Sequence, residues 1–257
     1  MPQSQLPQWL HWRESCPSTN TWALANLTNL NHGDVVFTQQ QTAGRGQHGR
    51  TWHSPTGVLT TSIALDHIPT AQLPQLSLFA GLAVIYAIEN LLPNLQGRLQ
   101  LKWPNDVLLN KRKLAGILCE ASTNGVTSRV VVGIGLNICV DFDQAGLNAS
   151  NIGHAISLHQ ISSIVPSELQ LLERSRHYLL ETAGLLCLEN KGLSALLPAL
   201  RTRDALYGQA ITIDLGTQKV SGLAAGISDR GYLLLKLPNG EMRSFVSGHI
   251  LWQNRDD

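Results

Sequence analysis

The chain has 257 residues, 43% hydrophobic and 14% charged, with a formal net charge of +1. That length allows one large core with a small appended domain, and the near-neutral charge argues against broad nucleic-acid or membrane-surface binding. The first residues show no secretory signal pattern, and the most apolar helical stretch, 76–92, contains Glu89 and Asn90 and is predicted to be too short to span a bilayer. Four widely spaced cysteines predict reduced thiols in a cytosolic protein, without disulfides or a zinc site.

The N-terminal part predicts a short strand over 9–15 and then a helix with Ser18 or Thr19 as its N-cap. On these residues alone, capping is a commoner role than ligand binding. The segment 31–33 ends in glycine and is predicted to terminate this helix.

A glycine-rich loop follows, between predicted strands at 35–40 and 58–64. Three glycines alternate with basic side chains in this loop, namely Gly44, Arg45, Gly46, His48, Gly49 and Arg50. Glycines let backbone N–H groups approach a ligand, and arginine donates to phosphate or carboxylate, so the loop predicts anion binding, most plausibly of a nucleotide. Its match to a dinucleotide fingerprint lacks the required following helix and acidic residue, which argues against a nicotinamide enzyme.

The middle of the chain predicts a core helix from Pro74 to about 92, ended by Pro93. A strand over 99–103 then runs into a Trp-Pro-Asn-Asp corner that ends at Asp106, and a hairpin with its turn at 110–112 returns over 113–120. A buried strand over 130–140 follows, and its internal glycines indicate a close approach by backbone or ligand.

The C-terminal part begins with a loop-like region, 141–166, that has room for a short helix. Ser167 and Gln170 then match a capping box that opens a helix to about 188, and another helix is predicted over 193–206. From Gly208 onward four short strands, 210–215, 219–227, 232–236 and 241–246, alternate with turns. We therefore predict two domains, residues 1–207 and a small β-barrel at 208–257.

A second cluster of charges, Lys102 to Asp106 and Lys111 to Lys113, adds cations and a carboxylate able to hold Mg²⁺. No Gly-x-Ser-x-Gly or other nucleophile motif is present. The residues thus indicate positioning and charge neutralisation around a nucleotide, without covalent catalysis by the protein.

Five motifs together resemble those of the biotin–protein ligases, in that family's order and spacing. They are Ser18-Thr-Asn20, Gln41-Thr-Ala-Gly-Arg-Gly-Gln-His-Gly-Arg50, Lys102-Trp-Pro-Asn-Asp106, Lys113-Leu-Ala-Gly-Ile-Leu118 and Gly133-Ile-Gly-Leu-Asn137. The resemblance implies an α+β fold in which a mixed sheet with packed helices, like that of class II synthetases, precedes a C-terminal SH3-like β-barrel. It also implies activation of biotin by ATP with Mg²⁺, giving biotinyl-5′-AMP and pyrophosphate, and transfer of biotin to a carrier-protein lysine.

The resemblance further implies roles for matching positions. The biotin site would comprise Ser18, Thr19, Asn20, Gln41, Gly44, Arg45, Lys113, Gly116, Leu118, Gly133 and Gly135. The ATP and adenylate site would comprise Arg45, Gln47, His48, Arg50, Trp52 and Asn137, with Trp52 stacking on adenine. The catalytic groups would be Lys113, Arg45 and Asp106, the last near Mg²⁺ or the acceptor amine.

Departures from the family pattern refine these expectations. Gln47 stands at a loop position that is often arginine in relatives, and His48 stands where arginine or glutamine is common, so one fixed positive charge that could retain the intermediate is missing. At 247–249 the chain carries Ser-Gly-His where relatives usually have an acidic residue after the glycine, and we assign no site role there. The loop is expected to be mobile when empty and ordered over biotinyl-AMP.

The expected partner is the biotin carboxyl carrier protein of acetyl-CoA carboxylase, with a cytoplasmic location and a possible homodimer. Because the catalytic strand is predicted near residue 9, we expect no DNA-binding module and no DNA or membrane partner. Two alternatives stay open: a lipoate or octanoate ligase or transferase on the same fold, and a non-catalytic biotin- or nucleotide-binding module.

Overall fold

The computed structural model describes residues 6–147, 154–188 and 192–252, which form two β-sheets and four α-helices. The strands of the larger sheet are β1 (Leu10–Arg13), β2 (Val35–Thr38), β3 (Val58–Pro69), β4 (Leu99–Lys102), β5 (Asp106–Leu109), β6 (Arg112–Asn124) and β7 (Thr127–Asn137). Their order is β1-β2-β3-β7-β6-β5-β4, parallel only between β1 and β2. This confirms the predicted mixed sheet.

Helices cover both faces of this sheet. They are α1 (Thr19–Ala25), α2 (Leu76–Leu91), α3 (Glu168–Leu186) and α4 (Gly192–Thr202). Helix α2 packs on one face, and its side chains join the main core of alternate residues from the long strands. Helix α1 lies on the other face, where Ala23 packs with Val36, Ala64 and Val131. Side chains alternate between the two faces along each strand, so one set of strand residues faces α2 and the other set faces α1 and the area beside it.

The N-terminal helix differs from its prediction. Ser18 occupies the N-cap, but its side chain accepts no capping hydrogen bond, and the helix ends at Ala25. A 3₁₀ turn, Leu27–Asn29, carries the chain on to Gly33, whose φ is +83°. The apolar residues Ala23, Leu27 and Leu30 are nevertheless buried, because the 3₁₀ turn continues the apolar face of the helix. The capping box of Ser167 is present as predicted.

Helix α2 is lengthened at its start by the 3₁₀ turn Thr70–Gln75, which contains Pro74. The continuous segment Thr70–Leu91 has 22 residues and is long and apolar enough to cross a membrane, so the prediction that it is too short does not hold. However, 67% of its most apolar window is buried within the fold. Phe79 and Ile85 are fully buried in the core against the sheet, which accounts for the apolar composition without a bilayer.

The C-terminal strands form a separate antiparallel sheet, consistent with the predicted SH3-like barrel. They are β8 (Ala210–Asp214), β9 (Lys219–Ile227), β10 (Leu233–Lys236), β11 (Met242–Phe245) and β12 (His249–Trp252), in the order β11-β10-β9-β8-β12. The sequence did not predict β12, because this four-residue strand is defined by its pairing with β8. The exact division at residue 207 stays a prediction.

Hydrogen bonds to the turn between β9 and β10 help to join the small sheet to the larger part of the chain. Gln75 donates from Nε2 to the carbonyl of Arg230 at 2.9 Å, and Trp103 donates from Nε1 to the carbonyl of Gly231 at 3.3 Å. The Trp-Pro corner predicted from sequence therefore also supports the contact between the two parts.

Candidate functional site

A cleft of about 1170 Å³ opens between the glycine loop, the face of the sheet beside α1, and the C-terminal sheet. The predicted site residues that line it are Ser18, Thr19, Asn20, Gln41, Arg45, Gln47, Arg50, Trp52, Asp106, Lys113, Gly116, Leu118, Gly133, Gly135 and Asn137. Five separate motifs thus converge on one cavity of a size that suits a small-molecule ligand.

The register of the three central strands builds the cleft floor. Thr60 pairs with Gly135, which pairs with Gly116 on the next strand. One step along, Ser62, Gly133 and Leu118 form a second row. Since side chains alternate between faces, all six positions face α1 and the glycine loop. Glycines in these rows leave space for groups that approach from above.

Two of those glycines accommodate Trp52. A methyl group added at Gly116 would lie 2.9 Å from Cζ3 of Trp52, and one added at Gly135 would overlap its indole ring. Gly133 instead makes room for the amide of Asn20. The Trp52 Nε1 atom is buried and has no hydrogen-bond partner among the residues that the structure describes. An indole seated on glycines with an unpaired donor is suited to receive an acceptor from a ligand.

A polar cluster lies at the end of the cleft beside α1. Gln41 accepts from the backbone N–H of Thr19 at 2.8 Å through Oε1, and its Nε2 donates to Ser54 at 3.3 Å. Ser62 Oγ lies 2.7 Å from the hydroxyl of Thr19 and 2.6 Å from Oδ1 of Asn20. These buried donors and acceptors can recognise a small polar heterocycle.

The arginine of the glycine loop is held by a carboxylate on β6. Nη2 of Arg45 lies 2.7 Å from Oε1 of Glu120, and Nη1 donates to Thr21 at 3.3 Å. The other carboxylate oxygen of Glu120 accepts from Nδ2 of Asn20 at 2.9 Å. The sequence analysis did not identify Glu120 as a site residue.

Lys113 forms the second cationic point. Its Nζ lies 2.6 Å from Oδ1 of Asp106, in an ion pair that lacks directed hydrogen-bond geometry, and 5.3 Å from the ring centroid of Trp52. The Lys113 backbone exchanges hydrogen bonds with the chain at His154 and Ile156. Lys113 is therefore fixed at both ends, with its charge between a carboxylate and an aromatic face.

Asn137 closes this side of the cleft. It is 5% exposed, and its Nδ2 donates to the carbonyls of Lys113 and Ile156, at 3.3 and 3.1 Å. Its amide donor thus supports the wall that carries Lys113, and its side-chain carbonyl oxygen is the group able to accept a hydrogen bond from a ligand.

A histidine from the C-terminal sheet lines the cleft, in the segment 247–249 to which the sequence assigned no site role. Nδ1 of His249 lies 3.3 Å from Nη2 of Arg50. Desolvation lowers the pKa of His249, Arg50 and Lys102 lower it further, and Asp214 and Asp106 oppose them. No local pattern could reveal this residue, because its position depends on β12 folding back.

Lys102 strengthens the cationic character of the same region. Burial lowers the pKa of Lys102, Asp106 counteracts that effect, and the positive charges of Lys113 and Arg50 reinforce it. The positive charges of Lys102, Lys113 and Arg50 thus lie in one part of the cleft, where the negative charge of a polyphosphate would offset their mutual repulsion.

Two predicted site residues lie outside the cleft lining, namely Gly44 and His48. Gly44 accepts a hydrogen bond from the N–H of Trp52 at 3.0 Å, at a point where a side chain would collide with the Trp52 backbone. His48 is exposed at the loop tip with φ +55°. Gly44 therefore shapes the loop base, and neither residue directs a side chain into the cleft.

The donor set bears on the expected magnesium ion. Among the described residues, no group of three or more His, Cys, Asp or Glu side chains is arranged to hold a metal. All four cysteines are free. Mg²⁺ commonly binds through one or two carboxylates together with substrate phosphates and water. Asp106, with Oδ1 buried and without a directed hydrogen bond, fits that mode.

Comparisons with known proteins agree with this geometry. Residues 12–137 match the model of the Biotin/lipoate A/B protein ligase family, and residues 206–251 match that of the Biotin protein ligase C terminal domain. A biotin–[acetyl-CoA-carboxylase] ligase of Paracoccus denitrificans is 32% identical over 234 residues, covering 87% of this chain and 92% of the relative.

Two further relatives extend the comparison. The bifunctional ligase/repressor BirA of Escherichia coli (strain K12) is 28% identical over 243 residues, which are 91% of this chain and 70% of that protein. The structure of biotin protein ligase from Aquifex aeolicus in complex with biotin and ATP has a TM-score of 0.77 at 25% identity, covering 94% of this chain and 97% of that one.

Proposed function

The chain belongs to the biotin protein ligase family and is a biotin–protein ligase, and we propose that the cleft between the glycine loop and the C-terminal sheet carries both half-reactions. The enzyme activates biotin and transfers it to a carrier protein. One observation carries the assignment to this cleft. Lys113, Arg45 and Trp52 all line the same cavity as the polar cluster around Gln41.

In the first step, a carboxylate oxygen of biotin attacks the α-phosphorus of ATP and pyrophosphate leaves. The product is the mixed anhydride biotinyl-5′-AMP. Both reactants are anions, so the site must offset their repulsion and the charge that develops in the transition state. Lys113 and Arg45 are the proposed groups for this task. Each forms an ion pair with a carboxylate at 2.6 or 2.7 Å before a ligand arrives, so each charge is already positioned at the cleft.

Biotin is proposed to lie with its ureido ring at the polar cluster and its tail toward Lys113. Thr19, Gln41 and Ser18 are proposed to provide donors and acceptors for the ring. Asn20 supports this cluster through Ser62, which donates to Oδ1 of Asn20 and lies 2.7 Å from the hydroxyl of Thr19. The glycine rows of β6 and β7 lie between this cluster and the ion pair of Lys113. Because Trp52 covers Gly116 and Gly135 in the empty cleft, the tail is proposed to displace the indole from them.

The nucleotide is proposed to occupy the other side of the cleft. The orphan Nε1 of Trp52 and the carbonyl oxygen of Asn137 are available to adenine. Arg50 and Lys102 lie where triphosphate charge would relieve the repulsion among the cations. The ordering of the loop over biotinyl-AMP, which would exclude water from the anhydride, stays a prediction.

When bound, Mg²⁺ would neutralise part of the triphosphate charge, with Asp106 as its protein ligand. In the second step, the neutral amine of the acceptor lysine attacks the acyl carbon. A C–N bond forms, the bond from the acyl carbon to the phosphate oxygen breaks, and AMP leaves. Asp106 is also the carboxylate placed to receive the proton that the amine loses, once Lys113 has turned to the ligand.

We propose the biotin carboxyl carrier protein of acetyl-CoA carboxylase as the acceptor, because relatives carry that ligase name. A cytoplasmic location fits the free cysteines and the use of ATP. The expected lack of DNA binding, which a gel-shift assay with a biotin-operon operator would check, and the possible homodimer, which light scattering would check, stay predictions.

The deciding experiment is incubation of the purified protein with ATP and labelled biotin, lipoate or octanoate, followed by addition of a carrier domain. Of the three acids, we expect only biotin to give an adenylate and pyrophosphate release. After the carrier domain is added, we expect the label on one of its lysines. An adenylate formed from lipoate or octanoate instead would assign the cleft to the other acyl groups of this family. Binding of both ligands without pyrophosphate release would refute catalysis at this site.

A further inference from the structure

We propose that Glu120 is a positioning residue that pre-orders Arg45 for the carboxylate of biotin and couples the glycine loop to the ring-binding end of the cleft. The inference rests on the proposed role of Arg45 and adds a residue outside the five sequence motifs. It concerns binding of biotin before the nucleotide reacts.

The strand register puts Glu120 in the right place. On β6, Gly116, Leu118 and Glu120 are two residues apart and share the face that forms the cleft floor. Glu120 pairs with Val131, which packs beneath α1. The carboxylate therefore emerges at the point where the floor meets α1, next to the end of the glycine loop.

The contacts of this carboxylate divide between two ligand-binding elements. Oε1 holds Arg45 at 2.7 Å, and Oε2 accepts from Asn20 at 2.9 Å. Asn20 also donates to the carbonyl of Leu118 at 3.0 Å and accepts from Ser62. One side chain thus connects the loop arginine, through Asn20 and Ser62, to the hydroxyl of Thr19.

The exposure of the two charged side chains argues that their ion pair positions Arg45 and contributes little to the stability of the fold. The Arg45 side chain is 47% exposed and that of Glu120 is 22% exposed, so solvent screens the pair and its net contribution to folding is small. An exposed arginine without this partner would sample many rotamers, and its ordering would oppose ligand binding. A guanidinium has five N–H donors, so the pair with Glu120 leaves others for a ligand carboxylate.

Glu120→Gln tests the contact of this side chain with Arg45 separately from its contact with Asn20. The amide oxygen of glutamine keeps an acceptor for Asn20, while the charge that holds Arg45 is lost. Calorimetric titration with biotin is expected to show affinity about three- to tenfold weaker than wild type, since one long side chain must now be ordered on binding. Biotin methyl ester, which lacks the carboxylate, is expected to lose less affinity. The melting temperature is expected to stay near that of wild type.

Two comparisons make the result specific. Glu181→Gln removes the same charge from an exposed pair with His177 on α3, at 3.4 Å, and is expected to change neither ligand's affinity. In an Arg45→Ala background, Glu120→Gln is expected to weaken biotin binding no further, because Glu120 acts through Arg45.

Three results would overturn the role of Glu120. Unchanged biotin affinity in Glu120→Gln would show that the pair does not order Arg45, and tighter binding would show that Glu120 competes with the substrate carboxylate. Equal losses for biotin and its methyl ester would show that the effect passes through Asn20 or the fold. If the wild-type protein itself bound no biotin, the proposed function would fail together with this inference.

Discussion

Replacement of Lys113 by alanine is expected to separate catalysis from folding. In the folded protein, Lys113 Nζ is 2.6 Å from Asp106 and 5.3 Å from the centre of the Trp52 ring. The Lys113 side chain is 32% exposed and the Asp106 side chain 18% exposed. The pair is therefore partly screened by water, and its backbone anchors to the 154–156 segment survive truncation of the side chain.

The expected magnitudes follow from those contacts. Loss of a partly exposed ion pair lowers the free energy of unfolding by about 1 kcal/mol or less, and loss of the cation–π contact adds about 0.5–1 kcal/mol. Loss of one pre-organised group that stabilises transition-state charge lowers a rate by about 10²–10³-fold, or about 2.7–4 kcal/mol. Lys113→Ala should therefore raise the activation free energy of adenylation by more than it lowers the free energy of unfolding.

Pyrophosphate release under saturating ATP and biotin, together with urea denaturation, measures the two quantities. Lys219→Ala serves as the matched control, because its Nζ is 3.8 Å from Asp214 in the C-terminal sheet and its side chain is 64% exposed. The control should change little in either assay. If Lys113→Ala lowered the free energy of unfolding by as much as it raised the activation free energy of adenylation, Lys113 would be a structural residue. The proposed mechanism would then lack its main positive charge.

Three further outcomes are expected. Gly135→Ala should lower the free energy of unfolding by about 1–3 kcal/mol, because the added methyl overlaps the indole of Trp52, and should raise the KM for ATP. Arg203→Ala should lower the free energy of unfolding, measured by urea denaturation, by about 3–5 kcal/mol. In the wild-type protein both Nη atoms of Arg203 lie 2.7 Å from the carboxylate of Glu89, which is 3% exposed, and the variant leaves that carboxylate as a buried charge without its partner. Protonation of His249 should destabilise the fold: its pKa is lowered on folding, so the unfolded chain binds the proton first, and stability should fall as pH drops below about 6.5, the ordinary histidine pKa. His249→Gln should remove this part of the pH dependence of unfolding.

Each of these outcomes has a contrary result. Unchanged stability of Gly135→Ala would mean that Trp52 is not seated on the sheet in solution. For Arg203, the control is Arg201→Ala, whose ion pair with Asp229 is at the surface and should contribute about 1 kcal/mol or less; equal effects of the two arginine variants would contradict the buried-pair argument. A variant at His249 with the wild-type pH profile between pH 5 and 7 would contradict the shifted pKa.

Several elements could be predicted because their signals are local. The capping box at Ser167 and the strand over 219–227 between its flanking turns depend on neighbouring residues, and the structure has both. The hairpin turn at Asn110 and Lys111 has φ of +51° and +61°, as a tight two-residue turn between strands needs. The extension of α2 by a 3₁₀ turn was not predictable in the same way, since Pro74 is compatible with either arrangement.

The sequence by itself determined the C-terminal strands and the residue types able to bind two anions, because turn residues, glycines, arginines and a Lys-Trp-Pro-Asn-Asp run carry their signals locally. It indicated the mixed-sheet fold class only through the resemblance of its motifs to a known family. Only the tertiary structure decided how those groups are held. Glu120 and His249 reach the cleft through strand register and through β12, and the partners of Arg45 and Lys113 are carboxylates brought together by pairing across the sheet. A contact between distant segments is set by register and packing, which no stretch of sequence specifies alone.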